Sequence, residues 1–379
     1  MSIKVNESPD NPFLITGYAG QEYFCDRETE TAKVIGALGN GRNVTLTSPR
    51  RMGKTGLILH VFDTIKREDK SAVCVYMDIF PTLNLRDFTL LFGKTLLGAL
   101  DSRTDSAKRQ IVEFFRNLRP VFSLDPSNLS PTVSLDLQES KTELGLKEIF
   151  DYLANAGRRV YVAIDEFQQI TEYPEKGVEA LLRSYIQFQT NARFIFAGSK
   201  KHLMEAMFSS ANRPFYQSTQ KIVLRTIPLE SYSSFAERLF ERGGKQMAEG
   251  VFEYVYELMS GHTWYVQDLM NMLYSLPQKT VTKEDANRII DDILEEENST
   301  YKTYCELVSK GQLRLLYAIA RAGKVTKPYD AEFMRLNNLT APSSVRQALA
   351  VLVEKGLVLK EDDDSYVIYD RFFSLWLRR

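Results

Sequence analysis

An eight-residue segment near the start of the chain brings small residues, two arginines and a lysine together. It consists of Ser48, Pro49, Arg50, Arg51, Met52, Gly53, Lys54 and Thr55. The segment matches the pattern of a phosphate-binding loop (P-loop), except that Ser48 replaces the first glycine. Main-chain N–H groups would face the phosphates together with Lys54, and the Thr55 hydroxyl would bind Mg²⁺. We predict that these residues and Gly56 bind a nucleotide, and that Lys54 also acts in catalysis.

A pair of carboxylates, Asp165 and Glu166, follows the apolar run Val160 to Ile164. An acidic residue at the carboxyl end of a buried strand lies at the crevice where α/β sheets bind ligands. There Asp165 can hold Mg²⁺ as a hard oxygen ligand, and Glu166 can polarise a water for attack on a terminal phosphate. Alone, such a pair is also typical of a solvated loop. Together with the P-loop, it predicts hydrolysis of a nucleoside triphosphate.

The elements around the two motifs predict how the motif residues are positioned. The run Asn43 to Thr47 favours a strand, and apolar residues in Gly56 to Lys66 recur at helical spacing, so the P-loop would join a strand to a helix. Other apolar runs predict strands at Ala72 to Asp78, Val160 to Ile164, Phe194 to Ala197 and Lys221 to Leu224. Near-continuous apolar strands that alternate with helices predict an α/β fold with a parallel sheet covered on both faces.

We predict three domains. Residues 1–228 form the α/β domain, with an inserted hairpin at about residues 118–138 around the turn-rich DPSNLSP. Residues 229–303 form a small helical domain, because apolar positions recur there at helical spacing. Residues 304–379 show three helices followed by a hairpin, which is the order of a winged helix.

The composition limits the class of protein. The chain has 379 residues, of which 44% are hydrophobic and 26% are charged, so it is too long for one ordinary core and unlike a disordered chain. Its net charge of -1 gives no overall basic field, so binding to nucleic acid or to an anionic membrane would need a local patch. Three widely spaced cysteines suit a reducing compartment. We expect a cytoplasmic protein with neither a signal peptide nor a membrane span.

Several segments, taken in order, give the chain a resemblance to a known family. They are SPRRMGKT, VAIDEF, FAGSKKHLM and GHTWYVQ, followed by the winged helix. The chain resembles the prokaryotic AAA-like or archaeal-type ATPases of the STAND class from Tyr18 onward. The resemblance implies ATP or ADP as ligand, Mg²⁺ as cofactor, a lid at residues 229–303 and the additional-strand division of P-loop sheets. It also implies that the metal-binding strand lies beside the P-loop strand, with a polar sensor strand next to it.

Two further roles follow from the resemblance. Ser199 stands where related ATPases carry a polar sensor that donates a hydrogen bond to a phosphate or to the lytic water. The Ser199 hydroxyl can equally cap the helix that starts at Lys200. An arginine in this family neutralises transition-state charge, and the candidates are Arg213 and Arg225. We favour Arg213 as the catalytic arginine, although a surface salt bridge would explain either residue.

The contacts to the base are inferred from the entry segment GYAGQEYFCDRETETAKVIGAL, which resembles the segment that lies over adenine in the family. Tyr23 and Phe24 could stack on the base, while Asp26 can cap the following helix. His262 stands where STAND proteins usually carry a turn that touches the nucleotide, although the usual proline is absent. We include His262 as a nucleotide contact, with a structural histidine at a helix start as the alternative.

These features predict an ATPase that acts as a nucleotide-controlled conformational switch with slow hydrolysis and with an unidentified protein partner. The alternative is a nucleic-acid-binding regulator that uses the exposed face of the third helix of the winged helix. That face carries Ser343, Ser344, Arg346, Gln347 and Ala350. The acidic wing tip, Glu361 to Asp364, would repel DNA and disfavours this alternative. A ring-shaped motor is a weaker third interpretation, because the sequence does not fix which arginine would act in trans.

Overall fold

The structure, a computed structural model, describes residues 9–100, 121–124, 131–134, 139–361 and 363–379. The chain divides into two units between Tyr232 and Ser233. The strands of the first unit are β1 (Asn43–Thr47), β2 (Val73–Asp78), β3 (Val121–Leu124), β4 (Pro131–Ser134), β5 (Val160–Asp165), β6 (Ala192–Gly198) and β7 (Thr219–Val223). Its helices are α1 (Glu28–Gly39), α2 (Lys54–Glu68), α3 (Leu85–Leu100), α4 (Glu139–Ala154), α5 (Val178–Ile186) and α6 (Lys201–Ser209). Two 3₁₀ segments, Gln21–Tyr23 and Phe167–Glu172, complete the described elements of this unit.

Five of these strands form one parallel sheet in the order β2-β5-β6-β1-β7. The strands form where the sequence has near-continuous apolar runs, and every residue of β5 is buried. The predicted parallel sheet is therefore confirmed, and the bounds of its strands differ from the predicted runs by at most two residues at either end.

The strand order implied by the resemblance is wrong in one respect. It placed β5, the metal-binding strand, directly beside β1, the P-loop strand. Instead β6 lies between them, because Val44 of β1 pairs with Ile195 of β6 and Ile164 of β5 pairs with Phe196. Ser199, the polar residue that follows β6, therefore lies between the two phosphate motifs.

Helices cover both faces of the sheet. On one face, Tyr161 and Ala163 of β5 belong to an apolar cluster with Leu57 and Val61 of α2 and with residues of α1. On the other face, the alternate residue Val162 belongs to a cluster with residues of α3, α4, α5 and α6. Successive side chains of a strand point to opposite faces, which explains this division. Full burial of one large apolar side chain contributes about 2 kcal/mol to the free energy of folding, and each cluster contains many such side chains. Packing on both faces therefore holds the strands in place, together with the residues at their carboxyl ends.

Strands β3 and β4 form a separate antiparallel pair, with Val121 opposite Ser134 and Leu124 opposite Pro131. Both strands fall within the predicted insertion at residues 118–138. The other residues of that insertion lie outside the described part of the chain.

The second unit begins within helix α7 (Leu229–Arg242). Its further helices are α8 (Val251–Leu258), α9 (Thr263–Ser275), α10 (Lys283–Glu296), α11 (Asn298–Glu306), α12 (Lys310–Ala322), α13 (Ala331–Leu336), α14 (Pro342–Glu354) and α15 (Arg371–Trp376). Strands β8 (Gln246–Met247) and β9 (Thr280–Val281) pair in parallel, whereas β10 (Val358–Lys360) and β11 (Tyr366–Ile368) pair antiparallel. None of the described helices combines the length and the apolarity needed to cross a membrane.

The last part of this unit has the element order of a winged helix, because α12, α13 and α14 are followed by the β10–β11 hairpin. A capping box formed by Ser309 and Gln312 starts α12. Leu315, Leu352 and Ile368 are buried and form part of the core. The predicted fold class, an α/β P-loop sheet followed by a winged helix, is confirmed. The predicted domain boundaries after residues 228 and 303 stay predictions.

Candidate functional site

The P-loop joins the carboxyl end of β1 to the first turn of α2. Arg51 and Gly53 have positive φ angles of 63° and 89°, and Gly53 is the N-cap residue of α2. Left-handed residues in a turn can direct successive N–H groups toward one point, and this concave arrangement binds anions. Glycine adopts such an angle without strain, which explains its presence at position 53. The loop therefore has the backbone form that a phosphate site needs.

Ser48 occupies the position of the missing glycine and is bonded within the loop. Its side chain is fully buried, and its hydroxyl donates to the Pro49 carbonyl at 2.8 Å. The same oxygen accepts a hydrogen bond from the Lys54 amine at 3.3 Å. Elsewhere in the loop, Met52 is buried, whereas Arg50 and its neighbour at position 51 are exposed. The serine thus adds hydrogen bonds that a glycine could not make.

Lys54 is buried at the start of α2, with only 6% of its surface exposed. Its amine also donates to the carbonyl oxygens of Ser48 and Pro49, both at 3.4 Å. Burial lowers the pKa of Lys54, and the carboxylates of Asp165 and Glu166 oppose this effect. The acceptors of the Lys54 amine, which are the Ser48 hydroxyl and the two carbonyls, are uncharged oxygens. A phosphate oxygen would be a stronger partner for the protonated amine, because opposite charges attract each other more strongly than a cation attracts an uncharged oxygen.

The carboxylate of Asp165 accepts three hydrogen bonds. The hydroxyls of Thr55 and Tyr76 each donate to Oδ2 at 2.9 Å. The main-chain N–H of Glu166 donates to Oδ1 at 3.0 Å. Asp165 itself is buried at the end of β5. The structure therefore brings the two predicted metal ligands, Thr55 and Asp165, into direct contact.

The donor set of this contact fits Mg²⁺. The ion prefers oxygen ligands and usually keeps several waters, so one or two protein oxygens are sufficient when a phosphate also binds. Thr55 offers a hydroxyl and Asp165 a carboxylate, both of which are oxygen ligands. Among the residues that the structure describes, no group of three or more His, Cys, Asp or Glu side chains forms an all-protein metal cage. A hydroxyl and a carboxylate in contact are thus oxygen ligands of the kind that Mg²⁺ takes when a phosphate completes its coordination.

Two residues of β2 belong to the same edge, although no sequence motif marks them. Tyr76 donates to Asp165, and Asp78 pairs with Asp165 in the register of the sheet. Burial raises the pKa of Asp78, and the charges of Asp165 and Glu166 raise it further. The adjacency of β2 and β5 is the signal that would have identified both residues, and it is not readable from a local pattern.

Glu166 has a left-handed backbone, with φ at 53°, and two side chains donate to its carboxylate. The Ser199 hydroxyl donates to Oε2 at 2.8 Å, and the side-chain amide of Gln168 donates to the same oxygen. Arg50 of the P-loop places its Nε 3.5 Å from the Ser199 hydroxyl. A left-handed non-glycine residue costs about 1–3 kcal/mol, and such residues cluster at functional sites.

Ser199 does not cap α6 through its side chain. The N-cap residue of α6 is Lys200, whose side chain makes no capping hydrogen bond, while the Ser199 hydroxyl donates to Glu166. Ser199 follows β6, which lies between the P-loop strand and the metal-binding strand. The residue therefore contacts the predicted catalytic carboxylate. Its contact with a phosphate stays a prediction.

A cluster of aromatic rings lies beside the first turns of α2. Phe24 stacks on His60 with ring centroids 4.5 Å apart, and an edge of Phe24 lies 3.3 Å from the place that a Cβ would take on Gly56. The Tyr18 hydroxyl donates to Asp63 at 3.0 Å and lies 2.9 Å from Nδ1 of His60. Because the one proton of that hydroxyl goes to Asp63, Nδ1 of His60 must be the donor toward Tyr18. Aromatic surface for stacking on a base thus adjoins the P-loop helix.

The entry segment next to this cluster leads into α1, and the N-cap residue of that helix is not the expected one. Tyr23 ends the 3₁₀ segment immediately before Phe24. The N-cap residue of α1 is Arg27, which makes no side-chain capping bond, so Asp26 is not the cap. Arg27 is itself buried, and its guanidinium donates to the carbonyl oxygen of Arg225 at 2.6 Å.

Two further predicted residues, Arg213 and His262, have contacts of their own. Nε of Arg213 donates to Glu179 at 3.1 Å, and a second guanidinium nitrogen donates to the other carboxylate oxygen. Burial raises the pKa of Glu179, and the Arg213 charge opposes this effect. His262 is buried in the second unit, where its ring meets Tyr265 edge-on with centroids 4.9 Å apart. The roles of Arg213 and His262 at a nucleotide stay predictions.

Comparison with protein families gives two matches along the chain. Residues 24–269 match the profile of an ATPase domain predominantly from Archaea. Residues 299–379 match the profile of a probable winged helix domain. No curated protein sequence matches the chain. The first match covers well over half of the chain and includes both phosphate motifs.

Solved structures share the fold at low sequence identity. A Walker-type ATPase of Pyrococcus abyssi is 18% identical, with a TM-score of 0.64 over 97% of this chain and 100% of that chain. The ORC1 protein of Aeropyrum pernix in complex with DNA is 12% identical, with a TM-score of 0.55 over 97% and 96% of the two chains. The ORC2 protein of the same organism, in ADPNP-ADP complexes, is 15% identical, with a TM-score of 0.54 over 93% and 94%. At these identities the likeness shows the fold alone.

Proposed function

Because the chain belongs to the family of ATPase domains found predominantly in Archaea, we propose that it is a nucleotide-controlled conformational switch with slow, Mg²⁺-dependent ATP hydrolysis. One observation carries the proposal, namely the meeting of three neighbouring strand ends. Lys54 follows β1, Ser199 follows β6 and Glu166 follows β5. A cation, a hydroxyl and a carboxylate thus share one edge of the sheet, where α/β folds bind their ligands.

Each motif residue has a distinct part in hydrolysis. Lys54 neutralises the outer phosphates. Thr55 and Asp165 would hold Mg²⁺, which would supply further stabilisation of phosphate charge. The water oxygen forms a bond to the γ-phosphorus, the bond from that phosphorus to the bridging oxygen breaks, and ADP leaves with the electron pair. Glu166 accepts the proton of the water and then passes it to the released phosphate.

Ser199 gives the site a means of responding to the γ-phosphate. Its hydroxyl has one proton, which it donates in a hydrogen bond to the Glu166 carboxylate. If the hydroxyl donates to a phosphate oxygen instead, the bond to Glu166 is released. The two nucleotide states then differ in their contacts, which is what a ligand needs to shift a conformational equilibrium. The resemblance to STAND ATPases supports a switch of this kind that acts on a separate protein partner.

The aromatic cluster supports a nucleotide, whose base would stack on a ring, as the ligand. Phe24, with Tyr23 beside it, provides a ring next to the P-loop helix. Stacking of a base on an aromatic side chain contributes about 1–3 kcal/mol. ATP and ADP share the same base, so this contact would hold both nucleotides and leave the discrimination between them to the phosphate end.

Phosphate release and nucleotide binding test the ATPase site directly. We expect Lys54→Ala to lose Mg²⁺-dependent ATP binding, because the loop then lacks its buried amine, whereas the two loop arginines are exposed. Glu166→Gln should still bind ATP but release phosphate about 10²–10⁴-fold more slowly, because it lacks the proton acceptor. Lys147→Ala and Glu172→Gln are matched controls, since both residues are exposed and make only surface ion pairs. Equal phosphate release in every variant would refute an active site here.

Hydrogen exchange tests the switch separately. Glu166→Gln is expected to keep ATP bound, so its amide exchange can be compared in the presence of ATP and of ADP. We expect protection in residues 229–379 to differ between the two nucleotides. Identical exchange throughout these residues would exclude the conformational switch but would not bear on the proposed ATPase activity.

A nucleic-acid-binding regulator is the second candidate function, and one observation favours it. The wing acids are paired, because Lys324 lies 2.9 Å from Glu361 and 2.7 Å from Asp363, and Lys360 lies 2.6 Å from Asp364. The wing would therefore repel DNA less than its sequence suggests. The similar ORC1 structure contains DNA, and salt-dependent binding of duplex DNA is the property that would establish this function here.

A further inference from the structure

We propose that Gln168 is a positioning residue for hydrolysis, which holds the Glu166 carboxylate in place while the water attacks the γ-phosphate. The inference rests on the proposed function, because it takes Glu166 as the group that accepts the proton. Gln168 lies in the 3₁₀ segment Phe167–Glu172, directly after β5, and only 3% of its surface is exposed. No sequence motif marks it.

The orientation of the Gln168 amide is fixed by the chemistry of its neighbour. An ionised carboxylate can only accept hydrogen bonds, so the amide nitrogen must face Glu166, and Nε2 donates to Oε2 there. The amide oxygen then points toward the end of β6. It lies 2.3 Å from the place that a Cβ would take on Gly198, and the sulfur of Met204 lies 2.6 Å from the same place. Gly198 is therefore required for the amide to sit where it does.

The amide oxygen supports a functional reason for this arrangement. Oε1 of Gln168 is buried and accepts no hydrogen bond from the residues that the structure describes. A buried acceptor without a partner destabilises the fold, and such groups are uncommon enough to require an explanation. Here the explanation is the other end of the amide, because no apolar side chain could donate to Glu166. The fold tolerates an unsatisfied oxygen, and the Glu166 carboxylate gains a fixed donor.

Ser199 and Gln168 donate to the same carboxylate oxygen, but only Gln168 is expected to keep its hydrogen bond when a nucleotide binds. Both donate to Oε2 of Glu166. When the single proton of Ser199 turns to a phosphate oxygen, Gln168 remains as a donor to Oε2, and among the described side chains no other donates there. Glu166 then keeps its position, and its other oxygen can accept the proton of the water as the bond to the γ-phosphorus forms. The proton ends on the released phosphate and the electron pair of the broken bond on ADP.

Gln168→Met is the variant that tests this role, because methionine has a similar shape and no donor. We expect kcat for phosphate release to fall about 10- to 100-fold, since small displacements of a reacting group have effects of this size. KM for ATP should change less than about twofold, and Tm should equal or exceed that of the wild type, because the unsatisfied oxygen is gone. A purely structural glutamine would instead lower Tm and leave kcat near the wild-type value.

Gln169→Met is the matched control. Gln169 lies in the same 3₁₀ segment, and its amide donates to the main-chain oxygen of Thr82 at 3.1 Å. The control therefore loses one side-chain amide hydrogen bond in the same segment and keeps both side-chain donors to the Glu166 carboxylate, so its kcat should equal that of the wild type. Equal kcat for Gln168→Met and Gln169→Met would overturn the inference.

A double variant separates this inference from the proposed function. In Glu166→Gln, the group that Gln168 positions is already lost, so adding Gln168→Met should lower the residual kcat no further. A further fall of tenfold in the double variant would contradict the positioning role. If Glu166→Gln alone hydrolyses ATP at the wild-type rate, the proposed function fails first, and the inference fails with it. If Glu166→Gln is inactive and Gln168→Met fully active, only the inference fails.

Discussion

Asp165 is held in one orientation by residues from three different elements. The donors are the hydroxyl of Thr55 at the start of α2, the hydroxyl of Tyr76 on β2, and the N–H of Glu166 after β5. Groups that orient a metal ligand contribute to metal affinity, and their loss typically lowers affinity or activity about 10- to 100-fold. If Asp165 binds Mg²⁺ as proposed, Tyr76 orients this ligand without binding the ion itself.

The first prediction concerns this hydroxyl. Tyr76→Phe removes one of the two donors to Oδ2 of Asp165 and keeps the ring. We expect the Mg²⁺ concentration for half-maximal phosphate release to rise about tenfold, because the carboxylate is less well oriented. A magnesium titration of ATPase activity measures this change. Tyr161→Phe is the control, since Tyr161 packs its ring in an apolar cluster on β5. Superimposable titrations for Tyr76→Phe and the wild type would contradict the prediction.

Residues in local patterns could be selected from the sequence, whereas residues that depend on chain pairing could not. Lys54 and Thr55 follow a strand and start a helix, and Asp165 and Glu166 end a buried run, so each pair is visible in a short window. Tyr76 contacts Asp165 only because β2 pairs with β5. Gln168 is close to Glu166 in sequence, but the 3₁₀ turn that brings its amide back is not marked by any motif.

At the scale of elements, the strands were predictable and their order was not. Apolar runs in the sequence predict all five strands of the parallel sheet, because burial on both faces requires continuous apolar residues. The pairing of β6 with both β1 and β5 depends on the whole set of crossovers and helix packing. The same limit applies to the capping of α1, where a left-handed Arg27 bonded to the Arg225 carbonyl replaces the expected cap at Asp26.

The second prediction concerns the contact between the entry segment and α2. Burial lowers the pKa of His60, the charge of Arg67 lowers it further, and the Asp63 carboxylate opposes both. A lowered pKa means that folding favours the neutral form of His60. Below about pH 6.5 the unfolded chain binds the proton first, so the free energy of unfolding falls as the pH falls. We expect His60 to contribute at most about 1.4 kcal/mol per pH unit to this fall.

Denaturant unfolding of wild type and His60→Gln on both sides of about pH 6.5 measures this contribution. Glutamine does not titrate, so the variant should lose less stability on acidification than the wild type. His202→Gln is the control, because His202 is exposed on α6. Equal losses in the wild type and in His60→Gln would show that the stacked ring of His60 is not the titrating group.

The third prediction concerns the ion pair between α5 and the segment after α6. Arg213→Met leaves the mostly buried Glu179 carboxylate without its cation. We expect the free energy of unfolding to fall by about 1–3 kcal/mol. Adding Glu179→Gln should restore part of this loss, since the uncompensated charge is removed. Thermal unfolding of both variants measures stability. A kcat deficit that persists in the restored double variant would support the predicted catalytic role of Arg213, and additive losses of stability would contradict the pairing.

At the scale of the whole molecule, the charge of the winged helix decides between the two candidate functions. The exposed face of α14 has one cation among small polar residues, Arg346, whose guanidinium lies over the ring of Tyr329 at 5.4 Å. The wing offers Glu361, Asp363 and Asp364, and the hydrogen bonds that the Lys324 amine donates to Asp363 and Glu361 raise the pKa of Lys324. Pairing lowers the repulsion of the wing without making it basic. Phosphate contacts by several cations supply most of the affinity for DNA, and this face provides few of them.

The fourth prediction follows from this charge distribution. We expect duplex DNA to show no salt-dependent affinity for the protein between about 50 and 200 mM salt, and to leave ATP hydrolysis unchanged. Fluorescence anisotropy of a labelled duplex measures binding for the wild type and for Arg346→Ala. Arg321→Ala is the matched control, because Arg321 is also an exposed arginine over a tyrosine ring, that of Tyr317 at 6.0 Å, but lies on α12. Affinity that falls with salt and is lost in Arg346→Ala but kept in Arg321→Ala would favour the nucleic-acid-binding regulator over the switch.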